Sequence, residues 1–187
     1  MLISKMFRLL VLPAILFLVV SLTSTFANPP EKPVFIQDLL GQVNYIEGQI
    51  LQLENAIPQD KFSWTPQEGI RSVAETYMHI AAANYMIVHV IKGDKMEGES
   101  EDFEKSTTDK KEIAENLKNS FADLKEFVGG LSEDDLNKNV HVFGMDFTVR
   151  SFLMAMFGHM HEHLGQSIAY ARFHHITPPW SMKSDEE

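Results

Sequence analysis

His159-Met160-His161-Glu162-His163-Leu164-Gly165-Gln166 is the stretch on which the reading of this 187-residue chain turns. Side chains four apart share one face of an α-helix. His159 and His163 therefore project together, and His161, two positions from each, points away. The flanks supply the helix. Phe152, Met156, His159, His163, Gln166 and Tyr170 follow one another at steps of four and three, the inward stripe of a bundle helix. Two imidazoles thus stand where the pattern asks for leucine. Burying such groups without partners costs on the order of 1–3 kcal/mol each, so something must satisfy them.

Two readings of the pair compete. A divalent metal takes two nitrogen ligands from one helical face, and neutral imidazole suits zinc, nickel, copper or iron. A hydrogen-bonded core pair is the structural alternative. The metalloprotease motif is absent, because no histidine stands three residues after Glu162.

Working outward, the helix carrying this stretch is expected from Thr148 to His174. Phe35, Leu39, Val43, Ile46, Ile50 and Leu53 mark a first long helix over Val34 to Ala56, ended by Pro58. A connection over residues 57–69 holds Phe62 and Trp64, the latter read as a plug over the end of the bundle. Ser72, with Glu75 three residues later, is a capping-box pattern that opens a second helix reaching Ile91. Its stripe is Val73, Tyr77, Ile80, Asn84, Ile87 and Ile91. His79 lies on the edge of that stripe, beside the small residues Ala82 and Ala83, which leave room for a ligand or cavity. Lys92 to Asp109 is acidic and poor in large apolar residues, so a loop with at most an extra turn is expected, its charges solvated. Ile113, Leu117, Phe121, Leu124 and Val128 mark a third helix stopped by Gly129-Gly130. Ser132 to Asp135 reads as a capped turn, and Asn139 to Phe147 as a small hairpin or an extended link.

Four long helices with one long crossover make an all-α four-helix bundle, a fold that builds metal sites from facing helices. His79 is the remaining histidine near the inward edge of a long helix, and catalytic zinc-type sites use three protein ligands with a position left open. His79, His159 and His163 are therefore the candidate ligands. His89 near a helix end, His141 and His161 are assigned no role.

At the N-terminus, Lys5 and Arg8 precede an apolar run from Leu9 to Val20, and Thr25-Phe26-Ala27 is a small-residue cleavage site. Met1 to Ala27 is read as a signal peptide, residues 28–33 as a mobile lead-in, 34–181 as the bundle and 182–187 as a polar tail. The apolar run is short for a spanning helix, so no stable membrane insertion is expected after processing, and an uncleaved anchor is the alternative. The expected location is periplasmic or secreted. The chain holds no cysteine, so export brings no disulfide, and any thiol chemistry needs a thiol from outside. The 16 basic residues less Lys5 and Arg8 leave 14 against 26 acidic, a charge of −12 for the processed chain. With no basic patch and interleaved aromatics, no nucleic-acid partner is expected.

Trp64-Thr65-Pro66, Ser72 with His79 seven residues later, His159-x-x-x-His163-Leu-Gly165-Gln166, and Tyr170-x-Arg172 before Ile176-Thr-Pro178-Pro179 together resemble the DinB/YfiT-like superfamily over roughly residues 34–181. The resemblance implies an up-down-down-up four-helix bundle and frequent homodimers. It also implies a metal-binding triad, which falls on His79, His159 and His163. Relatives include thiol-dependent transferases and metal-dependent hydrolases, and the name implies no contact with DNA.

The expected cofactor is a divalent transition metal (zinc, nickel, manganese or iron), and the expected partner an unidentified small-molecule substrate. Hydrolysis by metal-activated water is favoured, since an exported protein meets water everywhere and organic thiols rarely. Thiol transfer and non-catalytic binding of a metal or ligand are the alternatives. Glu75 and Tyr77 are candidates to support a ligand or move a proton. Gln166 is placed either to hydrogen-bond a ligand or, with Gly165, to serve structure, the glycine permitting close helix approach and the amide tying down backbone; the structural role is favoured. Tyr170 and Arg172 are read as packing and surface pairing.

Overall fold

The computed structural model describes residues 32–94 and 100–182. The expected signal segment Met1 to Ala27, residues 28–31 of the expected lead-in and residues 183–187 of the tail lie outside the described residues. In chain order the elements are α1 (Val34–Ala56), α2 (Val73–Lys92), α3 (Ser100–Glu104), α4 (Lys110–Gly129), α5 (Glu133–Leu136), β1 (Asn139–Val142), β2 (Met145–Thr148) and α6 (Val149–Phe173). The four long helices fall where the apolar periodicity put them.

Each boundary has a local cause. Ile57, forced extended by Pro58, closes α1. In α2 the Ser72 hydroxyl accepts from the Glu75 N–H, and the Glu75 carboxylate accepts from the Ser72 N–H, the full capping box. Gly93, at φ 78°, ends α2 in the left-handed region that glycine tolerates. Asp109 caps α4 and Thr148 caps α6. Between α5 and α6 the chain forms the hairpin rather than an extended link. Phe143 and Gly144 both take positive φ, the tight turn that matches strand twist.

The contacts at the helix ends settle the directions. Lys110, opening α4, donates through Nζ to the carbonyls of Asn55 and Ile57 at the end of α1, at 2.6 and 2.8 Å. The Gln59 amide bridges Thr108 and Lys110 beside it. At the opposite end, Gly129 lies against Lys32 and Leu40. So α4 runs antiparallel to α1. Helix α2 starts at the same end as α4, and α6 finishes there, since the Tyr170 hydroxyl donates to the Arg71 carbonyl. The order is up-down-down-up. Because α2 and α4 are parallel, the chain between them must travel back along the bundle, and α3 packs on α2 during that return.

The core is continuous across the four helices, with Ile46, Ile50, Phe62, Tyr77, Phe121 and Phe152 essentially sealed from solvent. One stripe position is polar by design of the neighbour, as Asn84 donates to the Ser120 hydroxyl on α4 at 3.1 Å. Trp64 closes the end of the bundle as expected, its ring 5.4 Å from Tyr170 and 4.6 Å from His174. Among the described residues no helix is long and apolar enough to cross a membrane.

Candidate metal centre

His79 sits two turns into α2, and His159 and His163 occupy successive turns of α6, so the antiparallel pairing of these helices brings all three to the end closed by Trp64. Their candidate ligand atoms lie within 4.8 Å of one another. The His159 Nε2 is 3.0 Å from the Nε2 of both His79 and His163. Each ring is half-buried, so the cluster is protected but reachable.

The far nitrogens decide the protonation of this cluster. The His79 Nδ1–H donates to Glu104 Oε1 at 2.6 Å. The His163 Nδ1–H donates to Gln166 Oε1 at 2.9 Å. Which way that amide points follows from its other end, where Nε2 donates to the Tyr170 hydroxyl at 2.7 Å while that hydroxyl donates to the Arg71 carbonyl at 3.1 Å. With both Nδ1 protons committed, neutral His79 and His163 aim bare lone pairs from Nε2 at His159. The single proton that His159 could carry on its own Nε2 can serve one of them. The second contact then sets lone pair against lone pair, a mismatch that a cation removes and another proton donor does not. The donor set of three imidazole nitrogens, two with fixed tautomers, fits a divalent transition metal.

The electrostatics favour unprotonated ligands. Burial first, and then the neighbouring imidazoles of His163 and His79, push the His159 pKa down to about 4. His163 is also lowered, chiefly by burial, against the opposing hydrogen bond to Gln166. Burial works against the Glu104 carboxylate, but hydrogen bonds from Arg71 and His79 outweigh it and hold its pKa below the usual carboxylate range. Arg71 grips that carboxylate through Nε at 2.7 Å and Nη2 at 3.3 Å.

The three candidate ligands are thus together, and the three histidines expected to be uninvolved stand apart. His161 is exposed, leaning on Phe157 with Nδ1 3.2 Å from that residue's carbonyl oxygen. His89 pairs with Asp94 and His141 with Asp146 at the surface.

Several supporting roles differ from expectation. Gln166 takes the less favoured of its two expected roles, hydrogen-bonding His163 rather than tying down backbone. Gly165 permits no close approach, since a Cβ there would meet nothing within 4 Å. Tyr170 is a link in the hydrogen-bond chain as well as a packing residue. Glu75 is spent on the capping box, and Tyr77 is fully buried with its phenol pushed well above the ordinary range by desolvation. Neither is placed to move a proton at the cluster. An apolar cavity in the described residues is lined by Leu39, Ile87, Leu124, Leu153 and Met160 among others, and neither Ala82 nor Ala83 is part of its lining. Glu104 and Arg71 were not singled out from sequence. The signal available was Phe103, an apolar residue in an acidic stretch, which marks one face of α3 as docked.

Among curated proteins no match to this chain is found. Solved structures of similar fold include a DinB-like protein from Bacillus cereus, 22% identical, covering 77% of this chain and 95% of that one at a TM-score of 0.66. The DinB-like protein YjoA from Bacillus subtilis is 24% identical, with 75% and 93% covered and a TM-score of 0.61. YfiT from Bacillus subtilis, described as a probable metal-dependent hydrolase with an unusual four-helix bundle topology, is 11% identical, with 80% and 94% covered and a TM-score of 0.63. The family profile of the DinB superfamily matches residues 46–167, a span that runs from α1 through both histidines of α6, and the chain belongs to that superfamily.

Proposed function

We propose that this chain is an exported metal-dependent hydrolase of a small-molecule substrate, with His79, His159 and His163 holding a divalent transition metal (zinc, nickel, manganese or iron). The observation that carries the reading is the convergence of three Nε2 atoms at 3.0 Å contacts, with two of the Nδ1 protons already committed elsewhere. A divalent cation held there would supply Lewis acidity, acidifying a water and polarising an electrophilic oxygen. The protein's own part is to hold His79 through Glu104 and His163 through Gln166, and to keep the ligand nitrogens unprotonated by burial. The description of YfiT as a probable metal-dependent hydrolase supports the same direction. With no cysteine in the chain the nucleophile is metal-activated water or a thiol from outside, and an exported protein meets water far more often than thiols.

Export rests on the positive Lys5 and Arg8, the apolar run and the Thr25-Phe26-Ala27 site. Mass measurement of the exported protein tests it, with a mature start near Asn28 expected and retention of Met1 to Ala27 in the extracellular form counting against it. For activity, the metal-loaded protein is assayed on activated esters, amides and lactones, and separately on electrophiles with glutathione or related thiols. Metal-dependent turnover in the first panel supports hydrolysis. Turnover that requires the thiol replaces it with thiol transfer, and a metal-loaded protein inert in both panels favours binding.

A further inference from the structure

Glu104 comes to the centre from outside the bundle's helical stripes. The return path between the parallel helices α2 and α4 passes the end that holds the triad, and α3 lies on it. Five residues cannot sustain a helix in isolation. Phe103, packed against the core with its ring 6.2 Å from Tyr85, and Glu104 dock it on α2. The Glu104 side chain is then 8% exposed, one oxygen 2.6 Å from His79 Nδ1 and the other 2.7 Å from Arg71 Nε.

These contacts close a circuit. Glu104 accepts from His79, the ligand nitrogens of His79, His159 and His163 meet, His163 donates to Gln166, Gln166 to the Tyr170 hydroxyl, and that hydroxyl to the carbonyl of Arg71. The Arg71 guanidinium returns to Glu104. Arg71 therefore fastens both arms, through its backbone towards His163 and through its side chain towards His79.

We propose that Glu104, carried on the α2–α4 crossover, is the positioning residue of the centre: it fixes His79 as the tautomer protonated on Nδ1 and aims Nε2 at the site, while Arg71 holds Glu104 in place. The assignment rests on the metal reading of the triad. Since Arg71 offsets the charge of Glu104, what the carboxylate adds is direction. An amide leaves one acceptor oxygen where the carboxylate uses two, so Glu104→Gln keeps the His79 contact or the Arg71 contact and sets an N–H against the other, and truncation removes both.

Two measurements on the full mature chain test this. Imidazole ¹⁵N NMR of the metal-free protein reads the tautomer, and titration with Co²⁺ alone reads affinity and the ligand-field spectrum. In the wild type His79 is expected to carry its proton on Nδ1. Glu104→Ala is expected to mix the tautomers, weaken Co²⁺ binding about 10–100-fold and shift the spectrum, and Glu104→Gln, which gives up one of the two contacts, to weaken binding as well. Wild-type His79 protonated on Nε2 overturns the proposal, as does Glu104→Ala binding Co²⁺ within about twofold of wild type. A residue that merely anchored α3 through Arg71 would leave the His79 tautomer unchanged on truncation. If the wild type takes up no stoichiometric Co²⁺ the metal reading fails, and the tautomer still decides the role of Glu104. If Glu104→Ala does not fold, the wild-type tautomer and the Co²⁺ affinity of Glu104→Gln decide it, an affinity equal to the wild type's counting against the proposal.

Discussion

His159→Ala is expected to have different consequences with and without metal. In chelator the wild-type protein holds one lone-pair contact that no proton can satisfy, and a buried His159 Nδ1 with no hydrogen-bond partner. Truncation removes both, each on the order of 1–3 kcal/mol, while giving up about 1–2 kcal/mol of packing from a half-buried ring. In chelator the variant should therefore be as stable as the wild type or more stable, by up to a few kcal/mol. With metal at about one hundred times its dissociation constant, the wild type gains roughly 2.7 kcal/mol that the two remaining histidines cannot recover. For a domain of about 150 residues that corresponds to a difference in Tm of roughly 5–11 °C. Thermal unfolding of both proteins, followed by circular dichroism in EDTA and in excess zinc, reads the two values. A His159→Ala protein equally destabilised in both conditions would refute the lone-pair reasoning, and a wild type with no zinc-dependent shift would refute the metal itself.

His79→Ala or His163→Ala should abolish stoichiometric metal binding measured by calorimetry, whereas His161→Ala, His89→Ala and His141→Ala should leave it intact; loss on changing His161 with retention on changing His163 would mean the helical phase is wrong. Without metal, His159 titrates near 4 in the folded state against about 6.5 unfolded, so over that window the unfolded chain binds more protons and stability falls as pH falls. Solvent screening of this partly exposed ring reduces the loss well below the full value of the shift, and urea midpoints at pH 7 and 4.5 should still fall more in the wild type than in His159→Ala; identical falls would remove His159 from the account. Tyr170→Phe strips the acceptor from Gln166 and the donor from the Arg71 carbonyl, which should cost about 1–2 kcal/mol in chemical denaturation and let the Gln166 amide turn. No measurable cost would show that solvent replaces that hydroxyl.

What the amino-acid sequence determined by itself is what depends on neighbours within a turn or two. The stripe from Phe152 to Tyr170 and the shared face of His159 and His163 are consequences of 3.6 residues per turn, and the capping box at Ser72 of a spacing of three. The bounds of α1 and the bundle class followed from the same local rules. His79 was reachable because it is a histidine at the edge of a helical stripe, the only long-range partner with such a mark. Periodicity is silent about which surface residues of distant segments meet. Glu104 sits in an acidic stretch whose composition reads as solvated, and its contact with His79 exists because α2 and α4 are parallel and the chain must pass the triad on its way back. The direction of the Gln166 amide depends on Tyr170 and on the Arg71 carbonyl, a backbone atom that leaves no trace in sequence. Glu75 looked like a candidate for proton transfer until its oxygen was found on the Ser72 N–H, and Gly165 like a close-packing device until its surroundings proved empty. Tertiary structure decided these because a polar side chain with several eligible partners takes the one that the fold brings within about 3 Å.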